Sequence, residues 1–522
     1  MRAVLLALVT APTAALSPVP GAMASAEPDP VVNRPVFNDS WGAPEAQYAN
    51  STQFARLLDR VPAGEEIVLS WFGFEVLKHE SDPTAHLLAA HARGVSVKVV
   101  LDHGQAGNHA HAQLKAALGT DDAKPSFVVT CKDKFPKGPD RGCIATRVSS
   151  WSNGYNHTKF AAFSKVRMNN GTIVPNVVFT GSSNVGDWDA VEAYNDMFTL
   201  TDAEAHKAFR TYFADLVRYR RTAAGDNDYY TDTGSGSQFR AFFSPRKERA
   251  GQPYADPATD TVYNTLHSVD PSCRYQEPDG SWHQTDLRVV MLAFNRDPVA
   301  AKLAELSRKG CWVDVVYAGK EVLDAFKGAK AQLTKCDFDG TPGKRDLQVH
   351  SKTLLIDGEY DKDTTPRVYT GSHNYAWSAL RQADEILLRI TGRAVHDEYL
   401  RNFWKIRDTC RSRASVSAVE PVLEQLFQAL LDFRRQDLPR VLAKRVSACT
   451  RTSLCRAGTG QVNTARMRRA RTASSLVTSL STGTWPVIAA SKAALAPSTK
   501  GSAARSVKES RRLCMDEPNS AS

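Results

Sequence analysis

The feature that most constrains the fold is a long pattern that occurs twice in the chain. The second copy begins at His350, with Lys352 two residues later, and continues through an apolar run to Asp357-Gly358. A further apolar segment, 367–370, leads into the tetrapeptide 371–374, Gly-Ser-His-Asn. Residues two apart lie on the same face of a strand. The pattern therefore predicts two strands joined by a turn, with the His and Lys side chains on one face.

The first copy has the same order of elements. His157 and Lys159 precede the apolar residues 160–163. After a polar insertion, the apolar segment 177–180 runs into Gly-Ser-Ser-Asn at 181–184. A single H-x-K tripeptide is typical of an ordinary surface strand, but two chance copies of so long a pattern are improbable. The chain is therefore predicted to contain an internal duplication.

The two copies differ at one position and agree at their ends. The first copy has Ser164 at the position of Asp357 in the second copy. The first copy therefore lacks the carboxylate that would support the motif at this position. Both copies then reach an acidic position before another apolar strand, Asp196 in the first and Glu385 in the second.

A strand–helix–strand pattern precedes each copy. In both places a glycine follows the last helical residue, as is common at helix C-termini, and the apolar strands favour a βαβ unit with a parallel pair. The predicted segments are 66–72, 83–93 and 95–101 before the first copy, and 287–294, 298–309 and 311–317 before the second.

These residues resemble the H-x-K-x4-D…G-S-x-N signature of the phospholipase D superfamily, over roughly residues 31 to 410. The resemblance implies an α/β fold: a duplicated phospholipase D-like fold whose two mixed-sheet α/β/α halves are related by pseudo-twofold symmetry, with one site at their interface. We expect the N-terminal half at 31–225, a linker at 226–238 and the C-terminal half at 239–410.

The resemblance also implies a mechanism with a covalent phosphohistidine that water or an alcohol later releases. Phosphodiester cleavage needs a nucleophile on one side of phosphorus and a proton donor on the other. In related bacterial phospholipases the N-terminal histidine attacks, which makes His157 the expected nucleophile and His350 the expected acid. No metal or other cofactor is expected, because two lysines would neutralise the phosphoryl oxygens. The expected site residues are His157, Lys159, His350, Lys352, Asn184, Asn374, Asp357, Glu385 and Asp196 as catalytic groups, and Ser182 and Ser372 as substrate-binding groups.

A catalytic histidine needs an orienting partner on its other ring nitrogen. From their matching places after each motif, we expect Glu385 to orient His350 and Asp196 to orient His157. The alternative is that both are ordinary carboxylates at strand edges.

The net charge of +10 comes from the C-terminal segment. From Arg411 onward there are 19 Lys/Arg and 7 Asp/Glu, a net +12. Arg2 adds one positive charge, so residues 27–410 carry −3. We interpret 411–522 as a basic, largely disordered tail with one helix at 422–433. The tail either attaches to anionic membrane surfaces or is a dispensable extension.

The N-terminus predicts export. A basic residue, an apolar run and an Ala-Ser-Ala site predict a signal peptide over residues 1–26, so the protein is expected to be secreted. Six of the nine cysteines precede the tail and fit disulfides in that compartment. Proximity in sequence suggests the pairs Cys131–Cys143 and Cys311–Cys336, and elimination leaves Cys273–Cys410. Free thiols are the alternative.

The favoured function is that of a secreted phosphodiesterase, expected to be monomeric, that cleaves phospholipid head groups. The alternatives are a secreted metal-independent endonuclease of the same superfamily, since nucleic acid is not excluded as a partner, and a non-catalytic binding protein with a decayed site. Aromatic residues expected near the site mouth favour an amphiphilic substrate, although they would also stack on single-stranded bases. They are Trp71, Trp151, Tyr155, Trp188, Tyr375 and Trp377.

Overall fold

The computed structural model describes most of the chain between residues 27 and 435. The predicted signal peptide, Trp151 and the predicted tail beyond residue 435 lie outside the described residues. The described ranges are 27–131, 141–149, 154–234, 236–249, 256–277, 279–319, 323–338 and 346–435, with side chains up to 414.

The N-terminal half contains nine strands and six helices among its described residues. The strands are β1 (Arg34–Phe37), β2 (Glu66–Trp71), β3 (Ser96–Leu101), β4 (Phe127–Thr130), β5 (Tyr155–Asn156), β6 (Lys159–Arg167), β7 (Ile173–Gly181), β8 (Ala193–Tyr194) and β9 (Asp196–Thr201). The helices are α1 (Pro44–Gln47), α2 (Ala49–Asp59), α3 (Pro83–Ala92), α4 (His109–Leu118), α5 (Asp187–Val191) and α6 (Ala203–Tyr219), with a 3₁₀ turn at His103–Gln105.

The C-terminal half repeats the strand order of the first large sheet and adds an edge strand and a hairpin. Its strands are β10 (Thr231–Asp232), β11 (Phe239–Phe243), β12 (Arg274–Gln276), β13 (Trp282–Gln284), β14 (Asp286–Met291), β15 (Trp312–Tyr317), β16 (Gln332–Lys335), β17 (Gln348–Val349), β18 (Lys352–Asp357), β19 (Arg367–Gly371), β20 (Ala383–Asp384) and β21 (Ile386–Thr391). Its helices are α7 (Thr261–His267), α8 (Asp297–Lys309), α9 (Trp377–Arg381) and α10 (Arg393–Arg435), with a 3₁₀ turn at Leu323–Phe326.

The two large sheets have the same topology. Their strand orders are β1-β9-β7-β6-β2-β3-β4 and β10-β11-β21-β19-β18-β14-β15-β16, which coincide apart from the added edge strand β10. In each sheet the two βαβ strands pair in parallel, and the H-x-K strand lies antiparallel beside the first of them. The predicted duplication, the mixed sheets and both βαβ units are confirmed.

Each sheet is covered on both faces. Outer helices α2, α3 and α4 pack on one sheet and α7 and α8 on the other, because each presents an apolar stripe to it. The inner faces of both sheets form one core together with α6 and the first turns of α10. This core includes Phe160 and Val290 from the sheets and Phe209 and Phe403 from the helices. The two halves therefore fold around a common interior.

Two short pairings cross between the halves. Strand β5, just before the first motif, pairs in parallel with β20 of the C-terminal half. Strand β17, just before the second motif, pairs in parallel with β8 of the N-terminal half. Each motif therefore starts from a strand that is hydrogen-bonded to the opposite half.

The disulfides correct two of the three predicted pairs. Cys131–Cys143 is present as predicted, but the other bonds are Cys273–Cys311 and Cys336–Cys410. Proximity in sequence fails because the parallel pair β14–β15 brings Cys311 beside the segment that enters β14, where the amide of Thr285 donates to the carbonyl of Cys273. Cys336 then lies against α10 instead.

The segments predicted as linker and tail contain regular structure. Within 226–238, β10 pairs with β11 and so extends the second sheet. Residues up to Arg411 belong to one compact unit, and Ser412 begins a second. Helix α10 runs without a break through the position of the predicted separate helix at 422–433. Within the described residues, no helix has the length and apolar character needed to cross a membrane.

Candidate active site

The first motif histidine is held by the opposite half. His157 is almost fully buried, and its Nδ1 lies 2.8 Å from Oε1 of Glu385. Its backbone amide donates to the carbonyl of Asp384 at 2.9 Å, which continues the β5–β20 pairing. The rings of Phe72 and Tyr155 flank the imidazole, with centroid distances of 4.8 and 5.6 Å.

The second motif histidine has a neutral partner, also from the opposite half. Nδ1 of His350 lies 2.7 Å from Oδ1 of Asn195. The amide nitrogen of Asn195 donates to the carbonyl of Asp189 at 3.1 Å, so its oxygen faces the imidazole and Nδ1 of His350 carries the proton. The ring of Trp188 packs edge-on at 5.6 Å. In both histidines Nδ1 is engaged by the protein, which leaves Nε2 as the ring nitrogen for a bound group.

The predicted orienting pairs are wrong, because the strands cross between the halves. Glu385 contacts His157 rather than His350. Asp196 contacts neither; it lies behind the site, where it accepts hydrogen bonds from the hydroxyl groups of Thr370 and Tyr399. Its burial raises its pKa.

Asn195 was missed by sequence reasoning, although a signal was available. Counted from the motif glycines, Asn195 follows Gly181 by 14 residues and Glu385 follows Gly371 by 14, whereas Asp196 is one residue further. The residue equivalent to Glu385 is therefore the amide Asn195 and not the acidic Asp196 that follows it. Asp189, whose Oδ1 lies 3.4 Å from Nδ1 of His350, was missed as well, because the second copy has Ala379 at its position.

The two lysines lie beside the histidines as the H-x-K spacing predicts. The ammonium of Lys159 donates to the carbonyl of His157 at 2.9 Å, and that of Lys352 donates to the carbonyl of His350. The ring of Phe72 lies 5.0 Å from Nζ of Lys159. Both lysines are almost completely buried, so their charges act through little water.

Burial and the lysine charges favour neutral imidazoles. Desolvation, followed by Lys159 and Lys352, holds the pKa of His157 well below its usual value. Desolvation and the same two lysines, with Lys352 first, lower the pKa of His350. Each lysine thus acts on the histidine of the other half, and the four groups form a single site.

The carboxyl group of Glu385 experiences opposed effects. Burial raises its pKa, while the Lys159 charge, a hydrogen bond from Ser372 and the Lys352 charge oppose that rise. Two ammonium groups, those of Lys159 and Lys352, lie nearby. An ionised Glu385 that accepts a hydrogen bond from Nδ1–H of a neutral His157 balances part of their buried positive charge.

The motif asparagines lie at equivalent places in the two halves. Oδ1 of Asn184 accepts from the amide of Gly73 at 3.3 Å, and Oδ1 of Asn374 accepts from the amide of Ala293 at 3.4 Å. The amide nitrogen of Asn184 also donates to Asp189 at 3.2 Å. Their role toward phosphoryl oxygens stays a prediction.

The motif serines are placed behind the site rather than toward a substrate. The hydroxyl of Ser182 donates to Oδ1 of Asn195 at 2.8 Å and accepts from the amide of Asp196 at 3.0 Å. Ser372 bonds the backbone of Ile386 and stabilises the charge of Glu385. Both serines therefore position neighbouring groups of the site, and their contact with a substrate stays a prediction.

Asp357 lies outside this cluster. It is the last residue of β18, five residues from Lys352, which corresponds to roughly 16 Å along a strand. Its carboxylate accepts from the hydroxyl of Tyr275 at 2.9 Å and from the guanidinium of Arg393. It supports the far end of the strand and does not join the site.

The aromatic residues named from sequence separate into two groups. Trp71 and Tyr375 are buried in the outer cores behind the motifs, and Trp377 is buried under the guanidinium of Arg147. Tyr155 and Trp188 do lie beside the histidines. Fewer aromatic rings therefore lie beside the histidines than the sequence suggested, so these rings favour an amphiphilic substrate less strongly.

Three side chains among the described residues have the spacing of a possible metal site, and they lie beside the paired histidines. Cys131, Cys143 and Asp384 bring their ligand atoms close together. The two sulfurs are joined in a disulfide, and the carboxylate of Asp384 accepts three backbone N–H groups. These atoms therefore have partners within the chain.

Comparisons with known proteins identify one family model that matches the chain and several solved structures that are similar to it. Residues 62–217 and 283–407 match the family model described as "Cardiolipin synthase, PLD-like domain". No curated protein matches the chain. Among solved structures, a phosphatidylserine synthase from Haemophilus influenzae is 12% identical, with a TM-score of 0.45, over 72% of this chain and 93% of that one.

Two further solved structures are similar to parts of the chain. A polyphosphate kinase from Porphyromonas gingivalis is 13% identical, with a TM-score of 0.40, over 67% of this chain and 44% of that one. The phospholipase D family member Nuc from Salmonella typhimurium is 16% identical, with a TM-score of 0.23, over 33% of this chain and 94% of that one. Because the family model matches both halves and more than half of the chain, the protein belongs to the cardiolipin synthase, PLD-like domain family of the phospholipase D superfamily, and its function is of the phosphodiesterase type.

Proposed function

We propose that the protein is a secreted phospholipase D-type enzyme that cleaves the head-group phosphodiester of a phospholipid through a phosphohistidine on His157. The observation that carries the proposal is the single buried cluster of His157, Lys159, His350 and Lys352, in which each imidazole is oriented from the opposite half. The cardiolipin synthase description of the family favours a phospholipid over other phosphodiesters.

In the first step, Nε2 of His157 attacks phosphorus and the bond to the head-group oxygen breaks. The charge of Glu385 on Nδ1 supports the imidazole as it becomes cationic. His350, protonated when the anionic phosphate enters between the lysines, gives its Nε2 proton to the leaving oxygen. Its lowered pKa makes it a ready donor. The lysines stabilise charge on the phosphoryl oxygens.

In the second step, His350 accepts a proton from water as the water oxygen attacks phosphorus. The phosphorus–nitrogen bond to His157 breaks, and the phosphatidyl product leaves. An alcohol in place of water gives a transfer product by the same proton movements.

The decisive test follows head-group release from phosphatidylcholine and phosphatidylethanolamine vesicles. His157→Ala and His350→Ala should each lower turnover by on the order of 10³-fold, with unchanged melting. His109→Ala, on the exposed start of α4, is the matched control. Near-normal turnover in either motif variant would disprove the shared site.

A parallel arm distinguishes the superfamily alternatives. Plasmid and single-stranded DNA are incubated with the same proteins in EDTA, and an added primary alcohol reports transfer. Head-group release that survives EDTA and disappears in His350→Ala supports the lipase. DNA cleavage without head-group release would replace it by the endonuclease.

The covalent step has its own measurement. Rapid quenching with labelled phospholipid should leave an acid-labile adduct on the peptide that contains His157, and none in His157→Ala. A label on the His350 peptide would exchange the two assigned roles.

Secretion is proposed from the N-terminal sequence and the disulfides. The three bonded cysteine pairs fit an oxidising compartment. N-terminal sequencing of exported protein should begin at Glu27, and retention of residues 1–26 would contradict cleavage at Ala26.

A further inference from the structure

A large cleft opens on the inner face of the first sheet, away from the paired histidines. Its volume is about 990 Å³, at the upper end of the range for small-molecule sites. It lies at the starts of β2 and β3, beside α6. Glu66, in its lining, is five residues before Trp71, which pairs with Lys159. That separation is roughly 16 Å along the strand.

The C-terminal half shows why the cleft is open. The parallel pairs begin with Glu66↔Ser96 in one sheet and Asp286↔Trp312 in the other. Val68 corresponds in the same way to Arg288. Ser96 and Val68 in the first half therefore correspond to the larger Trp312 and Arg288 in the second.

At two positions, helix α10 also carries larger side chains than helix α6. Counted from the preceding strands, Ala214 corresponds to Trp404 and Val217 to Arg407. In the C-terminal half the guanidinium of Arg288 lies 5.7 Å from the ring of Trp404, and Arg407 bonds Asp314 at 3.1 Å. Large side chains therefore contact one another at these positions of the C-terminal half.

The position at which the first motif copy differs from the second also lies at the cleft. Ser164, which replaces the aspartate of the second copy, lines the cleft. Its counterpart Asp357 is bonded to Arg393, and Ala203 occupies the position of that arginine in the first half. The cleft therefore coincides with positions at which the first half lacks this ion pair and several large side chains.

The lining combines an apolar wall with a basic rim. The wall is formed by Val68, Phe127, Phe213, Ala214 and Val217. On the rim, Glu66 is already engaged by Lys98 and Arg210, and Asp122 by Arg220 and Arg221. Lys124 and Lys207 also line it, and no carboxylate pairs with either among the described residues. The rim therefore has excess positive charge.

One residue of the lining carries a buried polar atom. His206 is 6% exposed and lines it, and its Nε2 has no hydrogen-bond partner among the described residues. Burial and the charge of Arg210 lower the pKa of His206 to about 4. At neutral pH the imidazole is therefore neutral.

We propose that this cleft binds one anionic amphiphile, a single alkyl or acyl chain whose anionic head group lies at Lys124 and Lys207 and whose chain lies along the apolar wall. The proposal rests on the cleft alone and does not require the proposed function. The tail of this chain is a poor occupant, because its net charge of +12 would face a basic rim.

The test is a calorimetric titration of the full chain below the critical micelle concentration of each probe. Dodecyl phosphate and laurate represent two head groups on one chain length, inorganic phosphate lacks the chain, and dodecyl maltoside lacks the charge. We expect one site per chain for a charged amphiphile, at least tenfold weaker binding of phosphate alone, and at least tenfold weaker binding of the maltoside.

Variants locate the site. Lys207→Glu should weaken binding at least tenfold by reversing a rim charge. Ala214→Trp, which copies the residue of the other half, should block the wall. Lys115→Glu on the outer helix α4 is the matched charge control, and melting temperatures identify any variant that does not fold.

The outcomes are separable from those of the catalytic site. Binding that persists in a Lys159→Ala/Lys352→Ala protein and is lost in Lys207→Glu supports the proposal. Binding lost in the lysine double variant but kept in the cleft variants would overturn it, as would no binding at all. Equal affinity for phosphate and dodecyl phosphate would also overturn it, since the apolar wall would then have no role.

Discussion

At the scale of single residues, the two histidines differ in the charge of their partners. Glu385 and Asn195 occupy equivalent positions, yet one is a carboxylate and the other an amide. A carboxylate stabilises an imidazolium more than an amide does. In the proposed mechanism, the directly bonded carboxylate supports His157 as the nucleophile, while Asp189 brings a carboxyl group to 3.4 Å from Nδ1 of His350, the proposed acid.

Asn195→Asp tests this difference. A carboxylate on Nδ1 of His350 should raise the pKa of that imidazole by about one unit or more. We expect the limb of the pH–rate profile that reports the acid to move upward, and turnover at neutral pH to fall less than in His350→Ala. Glu385→Gln, which changes the other histidine, should lower turnover without moving that limb. Identical profiles for Asn195→Asp and the unchanged protein would contradict the assignment.

His373 gives a pH dependence of stability with a definite sign. Burial lowers its pKa to about 4 in the folded protein, whereas the unfolded value is near 6.5. Between these values the unfolded chain binds the extra proton, so stability is present above pH 6.5 and is lost as the pH falls toward 4. From pH 7 to pH 5 the loss is about 2 kcal/mol.

The measurement compares urea unfolding of the unchanged protein and His373→Gln at pH 7 and pH 5. Other titrating groups act on both proteins and cancel in the difference. The free energy of unfolding of the unchanged protein, relative to the variant, should fall by about 2 kcal/mol on acidification. A constant difference would show that His373 titrates alike in the folded and unfolded chains, and so would contradict the lowered pKa.

At the scale of elements, β20 connects the two halves through one carboxylate. Asp384 precedes Glu385 and accepts the backbone N–H groups of Cys143, Ile144 and Ala145. It therefore fixes a segment of the N-terminal half beside the strand that carries the partner of His157. The disulfide Cys131–Cys143 holds the same segment from its other side.

Asp384→Asn should weaken this connection. The amide nitrogen would face backbone donors, and at least one N–H would lose its acceptor, at a cost of about 2 kcal/mol. Urea unfolding measures the loss, and turnover should fall with it because Glu385 shifts. Asp279→Asn, in an exposed turn, is the control and should change stability by less than about 0.5 kcal/mol. No effect of Asp384→Asn would show that the segment is held by other contacts.

At the scale of the whole molecule, the disulfides connect segments of different separation. Cys336–Cys410 closes 74 residues and ties β16 to α10, whereas Cys131–Cys143 closes 12. In the chain-entropy model these loops correspond to about 4 and about 3 kcal/mol. Paired Cys→Ser variants should therefore lose more stability at the longer loop.

Peptide mapping under non-reducing conditions checks the connectivity directly. It should recover linked peptides for Cys273–Cys311 and Cys336–Cys410. A peptide that links Cys311 to Cys336 would restore the pairing expected from proximity and contradict the structure.

The local features were predictable because they depend on short stretches of chain. Period-2 alternation and apolar runs identify β2, β3, β14 and β15, and the closing glycines identify the ends of α3 and α8. The H-x-K spacing places each lysine beside its histidine for the same reason. The duplication was also visible, because both copies keep the order of these local signals.

The partners of those residues depended on the tertiary structure. Pairing Glu385 with His350 assumed that each half completes its own site, but β5–β20 and β8–β17 cross between the halves, so each histidine meets the residue that follows the opposite strand. The disulfides and the open cleft follow the same rule, since they depend on which segments the parallel strands and the inner helices bring together. By itself, the sequence determined which side chains can do phosphodiester chemistry and on which strands they lie, because periodicity is local. Only the packing of one half against the other decided which side chain orients which, because those contacts join residues more than 150 positions apart.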